Sequence, residues 1–212
     1  MSDGLDAARL AILVHEVRSP VAALGAIAET YAEPELDRHA RHELIRLSVA
    51  ACRGVERILT DVAVASIQPE LVDPEALVRD AVSAAALGGA PVEVDLASNL
   101  PWIEGDPSRL RQVLDNLITN AVLHGPSSGV VVVRAEADET LRISVSDAGD
   151  GIPLDEQERI FEVGVRLDRS TPGSGIGLPL ARAIAEGHGG SLNVATRKGT
   201  TTFTVTLPLA GS

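Results

Sequence analysis

A histidine and a glutamate stand side by side near the start of the chain, at His15 and Glu16. A neutral imidazole attacks through one ring nitrogen when a neighbour holds the proton of the other, and a carboxylate does this while stabilising positive charge on the ring. Pro20 falls within a helical pattern, so a kink is expected beside His15. The pair is a candidate nucleophilic site, and an ordinary surface histidine is the alternative.

Two asparagines, Asn116 and Asn120, lie four residues apart in an otherwise apolar segment with helical periodicity. Side chains at this spacing project from the same face of a helix. Their amide oxygens are hard, neutral ligands that suit Mg²⁺, which keeps several waters and also contacts phosphate. The spacing indicates a magnesium and phosphate site, with two solvated surface asparagines as the alternative.

Two glycine-rich segments could approach a nucleotide. In DAGDG, residues 147–151, the carboxylate of Asp147 accepts hydrogen bonds, so it suits the amino group of adenine and repels the guanine carbonyl. Gly149 and Gly151 allow the backbone to approach a flat base. GSGIGL, residues 173–178, opens a predicted helix, where N–H groups and the helix dipole attract phosphate. Each segment alone could also be an ordinary turn or loop.

The segment from about residue 5 to 67 contains little glycine and is predicted to be helical. Its apolar residues recur at alternating steps of three and four, the spacing of packed helices, and a break around Pro34 separates two helices. One hairpin cannot bury both stripes, so pairing with a second copy into a four-helix bundle is expected. The stripes are Leu10, Val14, Val17, Val21, Leu24, Ala28 and Tyr31, then Leu36, Ala40, Leu44, Leu47, Ala51, Val55, Ile58, Val62 and Ala65.

The rest of the chain alternates short strands, helices and glycine-rich turns, which predicts an α+β domain with one mixed sheet and helices on one face. Gln68-Pro69 ends the helical region, so the predicted domains are residues 1–67 and 68–212. Asp73-Pro74 and Asp106-Pro107 each place an N-cap residue before a proline at the first helical position. The predicted helices are 74–87, 107–123, one after Pro153, and 176–187; the predicted strands are 92–96, 129–135, 141–146, 191–196 and 200–207.

Composition narrows the class of protein. Of the 212 residues 45% are apolar but 2% are aromatic, so a core must be built from Ala, Val, Leu and Ile. A net charge of −12 argues against a nucleic-acid partner, because no basic patch can neutralise phosphates. Cys52 is the single cysteine, and a reducing, cytoplasmic location is expected. No apolar run reaches the roughly 18 residues that span a bilayer, and the acidic start MSDGLD is unlike a signal peptide.

The order of these segments resembles sensor histidine kinases. HEVRSP, NLITNA, DAGDG, RIFE, GSGIGL and GTTF follow the order and spacing of the H, N, G1, F, G2 and G3 boxes of that family. The resemblance covers nearly the whole chain. It implies a dimerisation and phosphotransfer hairpin, a Bergerat-type ATP-binding domain, and an ATP-dependent histidine kinase of two-component signal transduction. Gyrase and the anti-sigma kinases share the ATP boxes but lack an H box on a preceding hairpin.

The resemblance also implies a role for each matching residue. His15 would accept the phosphoryl group of ATP with Glu16 as its orienting or general-base partner, and an aspartate of a response regulator would receive it. Asn120, with Asn116, would hold Mg²⁺ and the phosphates, and Asp147 would bind adenine. The implied nucleotide-binding set is Asn116, Asn120, His124, Asp147, Gly149, Gly151, Arg166, Gly173, Ser174, Gly175, Gly177, Leu178 and Thr201.

Three features depart from the family pattern. Leu123 stands where the family often has lysine, so a cation near the phosphates is missing, and Arg166 could supply charge instead. The segment 163–165 lacks the second aromatic of the F box, and Ser19 replaces the Thr or Asn of phosphatase-competent members. Two alternatives remain: a nucleotide-binding scaffold with weakened activity, and a serine kinase of the anti-sigma type, against which His15 argues.

Overall fold

The structure is a computed structural model that describes residues 17–18, 20–31, 37–65, 67–126, 129–167, 175–197 and 199–211. The chain divides between Val62 and Ala63 into two compact units. We call residues 1–62 the helical unit and residues 63–212 the sheet unit. Four predicted site residues lie outside the described residues: His15, Glu16, Gly173 and Ser174.

The helical unit contains helix α1, residues 20–31, and helix α2, Arg38–Ala65, which continues past the unit boundary. Asp37 begins α2, because its carboxylate accepts a hydrogen bond from the N–H of Ala40 at 2.8 Å. No described side chain of α1 or α2 is buried. The described apolar residues at the predicted heptad positions are therefore partly or largely exposed within one chain.

Two contacts define how α1 and α2 run. The guanidinium of Arg41, near the start of α2, lies 5.9 Å from the ring centroid of Tyr31 at the end of α1. A Cβ atom added at Gly54 would lie 3.8 Å from the Cβ of Pro20, at the start of α1. The two helices are therefore antiparallel neighbours.

In its described residues, the sheet unit has seven strands and three α-helices. The strands are β1 Glu70–Val72, β2 Val92–Leu96, β3 Ile103–Gly105, β4 Val131–Ala137, β5 Thr140–Asp147, β6 Ser191–Arg197 and β7 Thr200–Pro208. The helices are α3 Pro74–Leu87, α4 Pro107–His124 and α5 Gly177–Gly187. Five strands form one sheet in the order β2-β4-β5-β7-β6, with β2 parallel to β4 and the other pairs antiparallel. The predicted mixed sheet is confirmed.

One face of this sheet is covered. In β5, Leu141, Ile143 and Val145 are buried, while the residues between them are partly exposed. This alternation is the period-two pattern of a strand with one face on a core. The core is mostly aliphatic, as the composition predicts, with Phe203 at its centre and the ring of Phe161 edge-on to it at 6.4 Å.

The predicted helix after Pro153 is wrong. Turns occupy the segment and lead into a short 3₁₀ helix, Arg159–Phe161. The hydrogen bonds of this segment change from partners four residues back to partners three residues back. The N–H of Glu162, for example, donates to the Arg159 carbonyl at 2.9 Å. Gly164, with φ of 76°, then turns the chain away.

A separate antiparallel pair, β1 with β3, was not predicted. Each strand has three residues, which is too short to show an alternating pattern. Across all helices of the described ranges, none combines the length and apolarity that a membrane crossing requires.

Candidate functional site

A cavity of about 510 Å³ opens in the sheet unit between helix α4, the loop after β5 and the N-terminus of α5. The sequence predicts thirteen nucleotide-binding residues, of which Gly173 and Ser174 lie outside the described residues. The other eleven all line this cavity: Asn116, Asn120, His124, Asp147, Gly149, Gly151, Arg166, Gly175, Gly177, Leu178 and Thr201. Residues from five separate segments thus meet at one place.

Helix α4 supplies the two asparagines. The adjacent face of this helix buries Leu117 and Ala121 in the core, both with no exposed surface, and this fixes the direction in which Asn116 and Asn120 project. The Nδ2 atom of Asn116 is buried and has no hydrogen-bond partner among the described residues. A buried amide without a partner costs free energy, so this wall of the cavity fits a polar ligand.

The N-terminus of helix α5 lies against Asn116. A Cβ atom added at Gly177 would lie 3.4 Å from the Asn116 Oδ1, at van der Waals contact. The first turn of α5 therefore lies close to the asparagine. The N–H groups of Gly177 and Leu178 at the start of α5, together with the helix dipole, favour an anionic group in the cavity.

Asp147 ends strand β5, directly opposite Thr201 of β7, and both side chains are 4% exposed. Burial raises the pKa of Asp147, while the hydrogen bond from the Gly149 N–H, at 2.8 Å, and the nearby His124 act in the opposite direction. The bond from Gly149 engages Oδ1. Asp147 therefore presents a nearly buried hydrogen-bond acceptor at the wall of the cavity.

The loop after β5 requires its glycines. A Cβ atom added at Gly149 would lie 2.7 Å from the His124 carbonyl oxygen, so only glycine fits there without movement. Gly151 has φ of 84°, a backbone conformation that favours glycine. Next to it, the N–H of Ile152 donates to the Thr196 hydroxyl at 2.9 Å and fastens the loop to β6.

The remaining wall is held by a second glycine pair and by an arginine. The N–H of Gly164 donates to the carbonyl of Gly175 at 3.2 Å, and both residues have positive φ. Arg182 of α5 stacks on Phe161, with 4.7 Å from the guanidinium carbon to the ring centroid, and pairs with Glu158 at 3.0 Å. These contacts attach the 3₁₀ helix, and the cavity wall that follows it, to α5.

A metal ion in this cavity would need amide oxygens. The described ranges contain no group of three or more His, Cys, Asp and Glu side chains that could hold one. Asn116 and Asn120 offer two oxygens, a set that suits Mg²⁺ when phosphate and water complete the shell. Leu123, at the position where the resemblance leads one to expect lysine, also lines the cavity.

Several lining residues were missed by the sequence analysis. Thr119, Asp150 and Ile160 lie inside the segments NLITNA, DAGDG and RIFE, so closer attention to those segments would have found them. The others carry no local signal, because apolar and small residues line cavities of many kinds. The missed residues are Thr119, Asp150, Ile152, Ile160, Val165, Leu167 and Pro179.

Known proteins of similar sequence are kinases. The chain is 34% identical over 235 residues to the sensor-like histidine kinase SenX3 of Mycobacterium bovis, covering 96% of this chain and 55% of that protein. It is 31% identical over 220 residues to the adaptive-response sensory kinase SasA of a Synechococcus strain, covering 94% and 58%. It is 30% identical over 207 residues to the sensor histidine kinase ZraS of Escherichia coli, covering 93% and 44%. The chain thus spans about half the length of these relatives.

Solved structures with a similar fold also include a sensor histidine kinase. Full-length ShkA in complex with AMPPNP superposes with a TM-score of 0.65 at 28% identity, covering 96% of this chain and 46% of that one. The mycobacterial sensor histidine kinase MprB gives 0.60 at 28% identity, covering 67% and 98%.

The family of histidine kinase-, DNA gyrase B- and HSP90-like ATPases matches residues 105–211, which is half of the chain. The matched range contains α4, the glycine loops and α5, and thus the whole described lining of the cavity. The resemblance to sensor histidine kinases is confirmed by the relatives above. The chain therefore belongs to the histidine kinase-, DNA gyrase B- and HSP90-like ATPase family.

Proposed function

We propose that this chain binds Mg-ATP in the cavity of the sheet unit and transfers the terminal phosphoryl group to His15. The observation that carries the proposal is the convergence of eleven predicted nucleotide-binding residues on one cavity. The named relatives, all sensory or histidine kinases, support the choice of a kinase within the ATPase family.

Asn116 and Asn120 hold Mg²⁺ and the phosphates in this proposal. When bound, Mg²⁺ neutralises charge that develops on the transferred group. The partnerless amide of Asn116 and the first turn of α5 at Gly177 give the phosphates hydrogen-bond donors. Arg166 lines the same cavity and adds positive charge, which offsets the leucine at position 123.

Asp147 binds the adenine. Its nearly buried carboxylate accepts a hydrogen bond from the exocyclic amino group, whereas the carbonyl of guanine would face a second acceptor. Thr201, paired opposite in β7, lies at the same end of the cavity. Gly149 and Gly151 let the loop pack closely against His124 and Thr196 at this wall of the cavity.

The transfer step is a substitution at phosphorus. A ring nitrogen of His15 bonds to the γ-phosphorus, the bond from that phosphorus to the bridging oxygen breaks, and ADP leaves. Glu16 holds the proton of the other ring nitrogen and stabilises positive charge on the ring. Positioning and charge neutralisation contribute most of the catalysis in such reactions. Phosphohistidine is labile, which suits onward transfer to an aspartate of a response regulator.

The functional chain is a homodimer in this proposal, with residues 1–67 as the dimerisation and phosphotransfer domain and 68–212 as the ATP-binding domain. Val21 and Leu47, which belong to the predicted stripes, support pairing, because each is about half exposed within one chain although it is large and apolar. Two copies of an antiparallel helix pair bury such stripes as a four-helix bundle. A cytoplasmic location remains a prediction.

Labelling with γ-³²P-ATP and magnesium tests the function. The proposal predicts label on the protein that acid removes and base preserves, as expected for phosphate on histidine. Absence of label with intact nucleotide binding would identify a scaffold, the alternative that Leu123 favours. Acid-stable label on a partner hydroxyl would identify a serine kinase instead.

A further inference from the structure

Asp106 makes contacts on three sides at the beginning of helix α4. It is 9% exposed. Its Oδ1 accepts a hydrogen bond from the N–H of Arg109 at 3.0 Å, and this bond caps the helix. Its Oδ2 accepts from the N–H of Gln68 at 3.1 Å, across 38 positions of sequence. One carboxylate thus joins the start of α4 to the segment that enters the strand β1.

The bond to Gln68 extends the pairing of β1 with β3. Glu70 pairs with Gly105, so the entering segment already runs beside the residue that precedes Asp106. Pro69 has no N–H and cannot donate to a backbone partner. The side chain of Asp106 accepts the next available donor, that of Gln68, and holds the chain on the far side of the proline.

A buried histidine also holds the backbone of Asp106. The Nε2 of His188 accepts from the backbone N–H of Asp106 at 2.9 Å, and its Nδ1 lies 2.7 Å from the Ile184 carbonyl, to which it donates. A Cβ atom added at Gly105 would lie 2.9 Å from the His188 ring, so glycine is needed there. Asp106 is thereby tied to the end of helix α5.

The carboxylate keeps its charge in this setting. Burial alone would raise the pKa of Asp106, but the N–H groups of Gln68, Arg109 and Ser108 and the nearby Arg109 charge hold it below its ordinary value. Both oxygens are therefore acceptors at neutral pH. A hydrogen bond to a charged acceptor is stronger than one between neutral groups.

We propose that Asp106 is a positioning residue for phosphoryl transfer, acting through the backbone of Gln68. Asn116 lies ten residues along the same helix, about 15 Å at the usual rise per residue. The helix that carries the magnesium ligands and the point where the chain enters the sheet unit are therefore locked together. This inference rests on the proposed function, because it assigns to Asp106 the alignment of that reaction.

Asp106→Asn separates the two roles of the carboxylate. Asparagine caps helices as well as aspartate does, since its Oδ1 can accept from Arg109, but its NH₂ group cannot accept from Gln68. Asp73→Asn is the matched control. Asp73 also precedes a proline and caps a helix, accepting from the N–H of Glu75 at 2.9 Å, but it is not bonded to Gln68.

The measurements are Mg-ATP affinity by calorimetry and the rate of acid-labile labelling from γ-³²P-ATP, on the full chain. We expect Asp106→Asn to bind Mg-ATP within about twofold of wild type. Its labelling rate should fall about ten- to a hundredfold, the loss that a misplacement of about 1 Å produces. Asp73→Asn should match wild type in both. Asp106→Ser, which keeps a capping hydroxyl too short to serve both partners, should repeat the split if the asparagine variant folds poorly.

Unchanged or faster labelling of both Asp106 variants would overturn the inference. An equal loss of nucleotide affinity and labelling would also overturn it, because it would show a structural role alone. If the wild-type chain itself acquires no acid-labile label, the proposed function fails, which is a separate result.

Discussion

The helical unit and the sheet unit differ in how far their apolar side chains are buried within one chain. The sheet unit places its large aliphatic side chains in one core between α3, α4, α5 and one face of the sheet, where Val78, Leu117 and Val133 have no exposed surface. The helical unit buries none of its described side chains, and Val21 and Ile45 are each 51% exposed. One unit is complete as a monomer, while the other presents an apolar surface that a second copy can cover.

This difference in burial indicates which unit carries each part of the proposed reaction. A complete core holds α4 in place, and this helix carries four of the eight polar side chains that line the cavity: Asn116, Thr119, Asn120 and His124. In the proposal, the helical unit carries His15 and pairs with a second copy of itself. Nucleotide binding should therefore be independent of assembly, and phosphoryl acceptance should not.

The largest expected effect tests whether the sheet unit depends on its own core. Leu114 of α4 is 1% exposed, whereas Leu87 at the end of α3 is 91% exposed. Leu114→Ala should lower the free energy of unfolding by about 3–5 kcal/mol, through lost burial and a cavity. Leu87→Ala should change it by less than about 0.5 kcal/mol. Urea denaturation measures both, and equal effects would contradict the assigned core.

The second effect tests whether the helical unit depends on a partner. Leu47 of α2 is 45% exposed and belongs to the predicted apolar stripe. Leu47→Glu should weaken dimerisation about a hundredfold, because it places an unpaired charge in the interface. Analytical ultracentrifugation should show no change for Leu87→Glu in the sheet unit. A dimer that survives Leu47→Glu would contradict the predicted interface.

The third effect is local to the sheet unit. Asp147→Asn should lower ATP affinity about tenfold and raise that for GTP, because the new NH₂ group donates where the carboxylate accepted. Asp150→Asn is the control, since Asp150 also lines the cavity but is exposed. Calorimetry with both nucleotides measures the change. Equal effects of the two substitutions would contradict the assignment of adenine to Asp147.

The same residue predicts a pH dependence. Because burial raises the pKa of Asp147 and adenine donates to its ionised form, ATP affinity should fall as pH drops through that raised value. In the absence of ligand, the raised pKa has the opposite effect on stability. The contribution of Asp147 to the free energy of unfolding falls as pH rises from its pKa in the unfolded chain to its pKa in the folded chain. Asp147→Asn should remove both dependences. A wild-type affinity that stays constant across this pH window would contradict them.

The smallest effect restores a charge. Leu123 lines the cavity and is 45% exposed, so a longer polar side chain fits there. Leu123→Lys should raise ATP affinity about fivefold, since it adds a partly solvated cation near the phosphates. Val122→Lys, on an exposed neighbour outside the cavity lining, is the control. No gain in affinity would contradict the position given to the phosphates.

Local chemistry made much of the fold predictable from sequence. Asp73-Pro74 and Asp106-Pro107 begin α3 and α4 as predicted, because an N-cap followed by proline acts within a few residues. The alternation in Leu141–Ser146 likewise predicts β5. The helix predicted after Pro153 was wrong. The segment changes to hydrogen bonds between residues three apart, and no clear pattern in the sequence indicates that change.

Contacts that are distant in sequence could not be predicted. The cap at Asp106 follows from its neighbours, but its bond to Gln68 depends on the pairing of two three-residue strands. His188 belongs to none of the sequence motifs, yet its side chain joins the end of α5 to the start of α4. At the cavity, residue types indicated the chemistry, whereas Ile152 and Pro179 line it through tertiary packing alone.

The most direct test of the central claim compares three versions of the 212-residue chain with γ-³²P-ATP and magnesium: wild type, His15→Gln and His42→Gln. His42 is an exposed histidine of α2 and serves as the matched control. All three should bind Mg-ATP equally. Wild type and His42→Gln should acquire acid-labile phosphate while His15→Gln acquires none. Acid-labile label that persists on His15→Gln would contradict the account.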